Sequence, residues 1–128
     1  MSNWTHVAAI FRIDYIHEIM YELNFEEIFG KECLWISDGA TWEDMRKNPD
    51  QYLPHGSEGS LRMSVWENPD KSHLAAYTVS VFGDLRDHDD IEEIITWFNK
   101  CCEKCLIRQA CVTIENEWNG TETIHYER

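Results

Sequence analysis

The sequence predicts an α+β domain, in which an antiparallel sheet of about five strands carries one main helix and shorter helices on one face. Three observations lead to this fold class. Apolar residues alternate along five segments, turn residues join the last four of these segments into two hairpins, and one segment between the hairpins has helical spacing. The 128 residues match the usual size of one domain, so we assign residues 1–128 to a single domain.

The first predicted strand runs from Trp4 to Asp14, and both of its alternating faces are fairly apolar, as in a central or interface strand. The region after it is irregular. Apolar residues at positions 15, 16, 19, 20 and 23 have helical spacing, Phe25–Phe29 fits a short helix ended by Gly30, and Leu34–Ile36 fits a short strand.

A further short helix is predicted from Thr41, because Thr41 followed by Asp44 resembles a capping box with an acid in place of the usual Glu or Gln. This helix should stop before Pro49, since the residue before a proline is disfavoured in a helix. Residues 54–60 have the composition of a loop.

The remaining strands are predicted as two antiparallel hairpins: Leu61–Glu67 with Leu74–Phe82, and Leu106–Glu117 with Thr121–Tyr126. Turn residues at 68–71 close the first hairpin, and a two-residue Asn119-Gly120 turn closes the second. Between the hairpins, acidic residues at 87, 89 and 90 favour the start of the main helix. Its apolar stripe consists of Ile91, Ile94, Ile95, Phe98, Cys102 and Cys105.

The net charge of −13 excludes two classes of partner. A general nucleic-acid binder needs a basic footprint, and an anionic membrane surface would repel this chain, so we expect neither partner. The acidity fits solubility, a partner with a basic surface, or mimicry of nucleic acid, and the sequence leaves these open. No basic leader and no long apolar run is present, so we expect a cytosolic protein with reduced thiols.

No catalytic, metal or cofactor site is predicted. A zinc site usually pairs two cysteine knuckles or one knuckle with spaced histidines, and Cys101, Cys102 and Cys105 have no such complement. Cys102 and Cys105 instead lie on the apolar stripe, which favours buried thiols. The six histidines are scattered, and His17-Glu18 lacks the second histidine of a zincin motif.

The first hairpin carries the most informative group of side chains. Strand alternation puts Arg62, Trp66, Thr78, Ser80 and Phe82 together on the face away from the main helix. Aromatic rings, hydroxyls and a guanidinium are the groups that bind a purine and a phosphate. The same pattern also fits aromatic residues packed in a dimer interface or under the segment after the first strand, and both interpretations hold if the site lies at an interface.

Arg108 is a second candidate cation. Alternation places it on the same face as Ala110, Val112 and Ile114, which look buried, so its charge must be paired or must reach an edge. An ion pair with an acid near the main helix fits this position better than a ligand contact.

Five stretches of the sequence resemble small proteins of phages and prophages of gut bacteria, and specifically the Thoeris anti-defence sponge family: Trp4–Ile10, Leu53–Ser60, Ser64–Pro69, Ala75–Asp87 and Ile107–Ala110. The resemblance implies a non-enzymatic, homo-oligomeric protein of the host bacterial cytoplasm. Such a sponge binds cyclic ADP-ribose isomers made by a bacterial TIR enzyme and does not degrade them. The family stacks adenine on an aromatic residue and holds the pyrophosphate with arginines, which implies roles for Phe82 and Arg108.

The acidic net charge departs from what this resemblance implies, because a site for a dianion must then be a local positive area in a negative molecule. The main alternative is an acidic viral inhibitor that mimics nucleic acid and binds a basic host defence protein. That function predicts salt-sensitive protein binding and no small-ligand site. A nucleotide hydrolase and a structural virion protein are further alternatives.

Overall fold

One antiparallel sheet of five strands organises the computed structural model, which describes residues 2–14, 23–32, 39–69, 75–88, 90–105 and 107–127. The strands are β1 (Trp4–Asp14), β2 (Arg62–Glu67), β3 (Ala75–Arg86), β4 (Ile107–Asn116) and β5 (Gly120–Glu127). Their order across the sheet is β2-β3-β1-β4-β5, and each neighbouring pair is antiparallel. The predicted fold class and both predicted hairpins are therefore confirmed.

Helices occupy the two long connections of the sheet. Helices α1 (Phe25–Phe29) and α2 (Gly39–Lys47) lie between β1 and β2 in the chain, and α3 (Ile91–Lys104) lies between β3 and β4. This is the split β-α-β-β-α-β arrangement, in which β1 is central, with β5 added at one edge. Strand β1 pairs with β3 from Trp4↔Arg86 onwards and with β4 from Thr5↔Asn116 onwards.

The core lies between one face of the sheet and helices α1 and α3. The ring of Phe11 in β1 lies 4.8 Å from that of Phe29 in α1 and 5.3 Å from that of Phe98 in α3, measured between centroids. Four residues of α3 are buried: Ile94, Phe98, Cys101 and Cys102. The predicted stripe therefore faces the sheet, with Cys101 added to it and Ile91, Ile95 and Cys105 only partly buried.

Helix α1 depends on α3, because five residues are too few for a helix that is stable alone. Side chains of α3 donate to three of its carbonyl groups. The indole Nε1 of Trp97 donates to the oxygen of Phe29 at 2.7 Å, while Cys101 and Lys104 donate to Ile28 and Glu27 at 3.5 Å. Gly30 ends α1 with φ of +121°, as predicted.

The predicted capping box is wrong, since α2 begins at Gly39, before Thr41. The carboxylate of Asp44 is engaged elsewhere: it accepts from the Tyr52 hydroxyl at 2.5 Å and from the Asn48 amide at 3.1 Å. These contacts hold the pKa of Asp44 below its usual value, chiefly through the Tyr52 hydrogen bond. The Asp44 carboxylate, which the local pattern assigned to the helix cap, therefore binds Tyr52 instead. The end of α2 at Lys47 agrees with the predicted stop before Pro49.

Strand β3 is longer than predicted, ending at Arg86 instead of Phe82. Its extra residues pair with the start of β1, where His6 lies opposite Asp84. Gly83 within this extension allows close packing, because a Cβ atom there would lie 2.8 Å from the Ser60 carbonyl oxygen. Pairing with β1 thus extends β3 beyond the residues whose alternation predicted a strand.

The turn between β4 and β5 is also different from the prediction. Asn116 pairs with Gly120, so residues 117–119 form a three-residue loop. The side-chain oxygen of Asn116 accepts from the backbone N–H groups of Trp118 (3.0 Å) and Asn119 (2.9 Å). Gly120 has φ of +88°, the left-handed conformation that closes a three-residue hairpin loop.

Three predictions lie wholly or partly outside the described residues: the helical spacing at 15–20, the strand at 34–36 and residues 70–71 of the turn in the first hairpin. The N-terminus of α3 agrees with its acidic signal, since the Asp90 side chain accepts from the backbone N–H of Glu93 at 3.2 Å. A search of the described helices found none with the length and apolar character needed to cross a membrane.

Candidate functional site

The face of the sheet opposite α3 is exposed, and we call it the open face. Side chains of this face alternate with the buried ones along β1 and through most of β4. Three of its large apolar residues are about half exposed: Ile10 at 47%, Phe82 at 52% and Trp66 at 57%. Exposed apolar side chains that lie close together mark a surface for a ligand or a partner.

Strand pairing gathers the predicted residues around Ser80 of β3. Ser80 lies between Ser64 of β2 and Ile10 of β1, while Phe82 and Thr78 are its neighbours along β3 on the same face. Arg62 lies opposite Phe82, and Trp66 lies opposite Thr78. Diagonal neighbours on a sheet face have Cα atoms about 7–8 Å apart. The five predicted side chains, those of Arg62, Trp66, Thr78, Ser80 and Phe82, therefore share one small area, which we call the Ser80 patch.

Arg12 completes this patch and was not predicted as a site residue. It lies opposite Thr78 on β1, so it occupies the diagonal position across Ser80 from Arg62. The sequence placed Arg12 on one face of the first strand but could not show which strand lies beside it. Only the β1–β3 register, which joins residues more than 60 positions apart, brings the two arginines to the same patch.

The two arginines of the Ser80 patch differ from Arg86 in their charge environment. Arg12 and Arg62 are exposed, and neither forms an ion pair with a residue in the described part of the chain. Arg86, in contrast, contacts Glu58 at 2.8 Å and Asp87 at 3.6 Å. In a chain of net charge −13, these two guanidinium groups, with no ion pair among the described residues, are of the kind that binds an anionic ligand.

The opposite end of the open face is acidic. The Nδ1 atom of His6 lies 2.6 Å from Oδ1 of Asp84, and Glu115 lies opposite His6 on β4. The hydrogen bond with Asp84 raises the pKa of His6, aided by the charges of Glu115 and Glu117. An anion on the open face is therefore directed away from this end and towards the arginines.

Arg108 does not belong to the Ser80 patch within one chain. The β1–β4 register shifts between Arg12 and Ile13, which pair with Gln109 and Ile107, so Arg108 lies in a bulge and the predicted alternation fails there. Its side chain is 46% exposed instead of buried, and its Nε lies 3.4 Å from the buried carboxylate of Asp14. The strand spacings place its Cα roughly 19 Å from that of Phe82. The predicted ion pair therefore exists, and its acid lies at the end of β1.

A concavity of about 390 Å³ adjoins the Ser80 patch where β1, β4 and β5 meet. Its open-face lining consists of Ile10, Arg12, Gln109, Cys111, His125 and Glu127. Arg12 belongs to both the Ser80 patch and the concavity, and Ile10, which lines the concavity, lies opposite Ser80. This volume lies within the range of small-molecule pockets, about 300–1,000 Å³.

The cysteines of α3 behave as core residues. Burial raises the pKa of the Cys101 and Cys102 thiols to about 12 and that of Cys105 to about 11. Both Cys101 and Cys102 are buried, which agrees with the predicted buried thiols, whereas Cys105 is only partly so. Within the described ranges, no group of three or more His, Cys, Asp and Glu side chains is arranged to hold a metal ion.

Comparisons with known proteins give no further guide to the site. The chain matches no protein-family model, and comparisons with curated proteins and with solved structures give no match either.

Proposed function

We propose that this protein is a phage anti-defence sponge that binds cyclic ADP-ribose isomers on the Ser80 patch and sequesters them without degrading them. The observation that carries the proposal is the pairing register that gathers Arg12, Arg62, Phe82 and Trp66 around Ser80. The resemblance to the Thoeris sponge family supports the same ligand class. In this proposal the protein acts in the host bacterial cytoplasm.

The chemistry of the patch suits a nucleotide with a pyrophosphate. A guanidinium binds phosphate through two parallel hydrogen bonds, and Arg12 and Arg62 approach the patch from opposite sides of Ser80. Stacking of a base on an aromatic ring contributes about 1–3 kcal/mol. The hydroxyl groups of Ser80 and Thr78 add donors and acceptors at the centre.

A sponge needs affinity and abundance more than a reacting group. A nanomolar dissociation constant corresponds to about −12 kcal/mol, which one stacked base, two charged contacts and several neutral hydrogen bonds reach only in a preorganised and enclosed site. The open face is solvent-exposed on one side. We therefore include a homo-oligomer in the proposal, in which a second copy covers the bound ligand.

Isothermal titration calorimetry with purified cyclic ADP-ribose isomers tests the proposal. We expect submicromolar binding close to one ligand per chain, and recovery of the intact ligand after heat denaturation of the protein. Turnover of the ligand would contradict sequestration. Absence of heat, together with absence of a thermal shift, would overturn the proposal and favour the basic protein partner, for which a pull-down at varied salt is the next experiment.

Matched substitutions locate the site. We expect Phe82→Ala and Arg62→Ala each to weaken binding at least about fivefold, because each removes a contact worth about 1–3 kcal/mol. Trp66→Ala has a close control in Trp118→Ala, since Trp118 is 63% exposed but lies in the β4–β5 loop. Arg46→Ala, an exposed arginine of α2, serves the same purpose for Arg62. If a site variant and its control lowered ligand affinity equally, the ligand would not bind on the Ser80 patch.

A further inference from the structure

We infer that the concavity beside Arg12 binds the ribose hydroxyl groups of the ligand and so determines which cyclic isomer is retained, an inference that rests on the proposed function. The concavity is continuous with the Ser80 patch through Ile10 and Arg12. A ligand that lies over Ser80 and extends past Ile10 therefore enters it.

The charges fix the direction in which the ligand lies. Across the open face, Arg12 of β1 is followed by Gln109 of β4 and Glu127 of β5 in one line of paired residues. The carboxylate of Glu127 repels phosphate, so the anionic part of the ligand belongs on the Arg62 side of Arg12 and the neutral part belongs in the concavity.

The groups that line the concavity are suited to hydroxyl groups. An ionised carboxylate only accepts hydrogen bonds and can accept from two neighbouring hydroxyls, as acidic residues do with the ribose of dinucleotides. The amide of Gln109 both donates and accepts hydrogen bonds. His125 lies opposite Cys111 and also lines the concavity. Ile10 supplies an apolar surface for the sugar carbons.

Recognition of hydroxyls makes this subsite sensitive to the isomer. Isomers of a cyclic nucleotide differ in the atom that carries the cyclising bond, so they differ in which ribose hydroxyls are free. A site built to pair with a hydroxyl rejects a ligand that lacks it, because the polar groups that the bound ligand covers then lose their partner.

A double-mutant cycle between protein and ligand tests this inference. The probes are cyclic ADP-ribose and a set of analogues that each lack one ribose hydroxyl. The protein variants are Glu127→Gln and, as a matched control on the same strand, Glu122→Gln. Glu122 is exposed but lies opposite Ile114, whose side chain is buried under the sheet, so its carboxylate is on the other face.

We expect Glu127→Gln to weaken binding of cyclic ADP-ribose about 10-fold, as for a hydrogen bond to a charged group. At least one deoxy analogue should bind the wild-type protein correspondingly weaker and should not respond to Glu127→Gln. Glu122→Gln should change neither the affinity for cyclic ADP-ribose nor that for the deoxy analogue. If Glu127→Gln affects every probe equally or none, the hydroxyl subsite is overturned while the proposed function stands. If the wild-type protein binds no cyclic ADP-ribose isomer in the calorimetric test, both are overturned; if it binds an isomer other than cyclic ADP-ribose, the same cycle is run with that isomer and its deoxy analogues and is read in the same way.

Discussion

The two faces of the sheet use similar side chains for different purposes. Phe11 on β1 is fully buried and contacts Phe29, Trp97 and Phe98, whereas Phe82 on the neighbouring strand β3 is 52% exposed. Helices cover the first face, and its apolar residues stabilise the fold. Phe82 and Trp66 bury only about half of their surface, and in the proposed function they contact the ligand instead.

The sharpest test of this contrast compares Phe11→Ala with Phe82→Ala. We expect the first to lower the free energy of unfolding by about 3–5 kcal/mol, because it leaves a cavity in the core. The second should change it by no more than about 0.5 kcal/mol, since the ring is half exposed. Urea denaturation followed by circular dichroism measures both. A large loss of stability in Phe82→Ala would mean that the open face is covered in the free protein.

Arg108→Ala separates a structural arginine from those of the Ser80 patch. Its removal leaves the carboxylate of Asp14, whose side chain is only 4% exposed, with one charge partner fewer. We expect a loss of about 1–3 kcal/mol in the free energy of unfolding with unchanged ligand affinity. Arg12→Ala should instead weaken ligand binding and leave the free energy of unfolding unchanged. Loss of affinity in Arg108→Ala without loss of stability would instead indicate that a second copy supplies Arg108 to the site.

We expect the smallest change in stability from a substitution at the acidic end of the open face, His6→Gln. The pKa of His6 is raised in the folded protein, so the His6–Asp84 pair stabilises fully below the unfolded value of 6.5 and loses its effect as the pH rises through the folded pKa. Both side chains are well exposed, at 44% and 61%, which limits the contribution to a few tenths of a kcal/mol. The stability difference between wild type and His6→Gln, measured at pH 5.5 and 8.5, should shrink at the higher pH. A constant difference would show that the pair does not titrate as described.

Local sequence patterns predicted the fold because each strand and helix has its own periodicity. The alternation in β1, the stripe of α3 and the alternation of the first hairpin all describe which side of an element is apolar, and packing follows that division. The Ser80 patch was predictable to the extent that it lies within one hairpin. Strands β2 and β3 are close together in the sequence and pair with each other, so alternation alone placed their residues on one face.

The errors arise where contacts between elements decide the geometry. Asp44 binds Tyr52, eight residues further along the chain, instead of capping α2. A bulge against β1 takes Arg108 out of the alternation of β4, and Arg12 joins the patch only through pairing between β1 and β3. None of these contacts leaves a periodic signal in the sequence, and the last two depend on register between strands far apart in the chain.

The central position of β1 has a consequence for synthesis on the ribosome. Thr5 of β1 pairs with Asn116 of β4, so the strand at the middle of the sheet is made about 100 residues before its second partner. At roughly 5–20 residues per second, it waits on the order of 5–20 s for that partner. During this interval the alternating apolar side chains of β1, on both its faces, are available to other nascent chains. We therefore expect yields in cells to depend on translation rate and on chaperones that hold extended apolar segments.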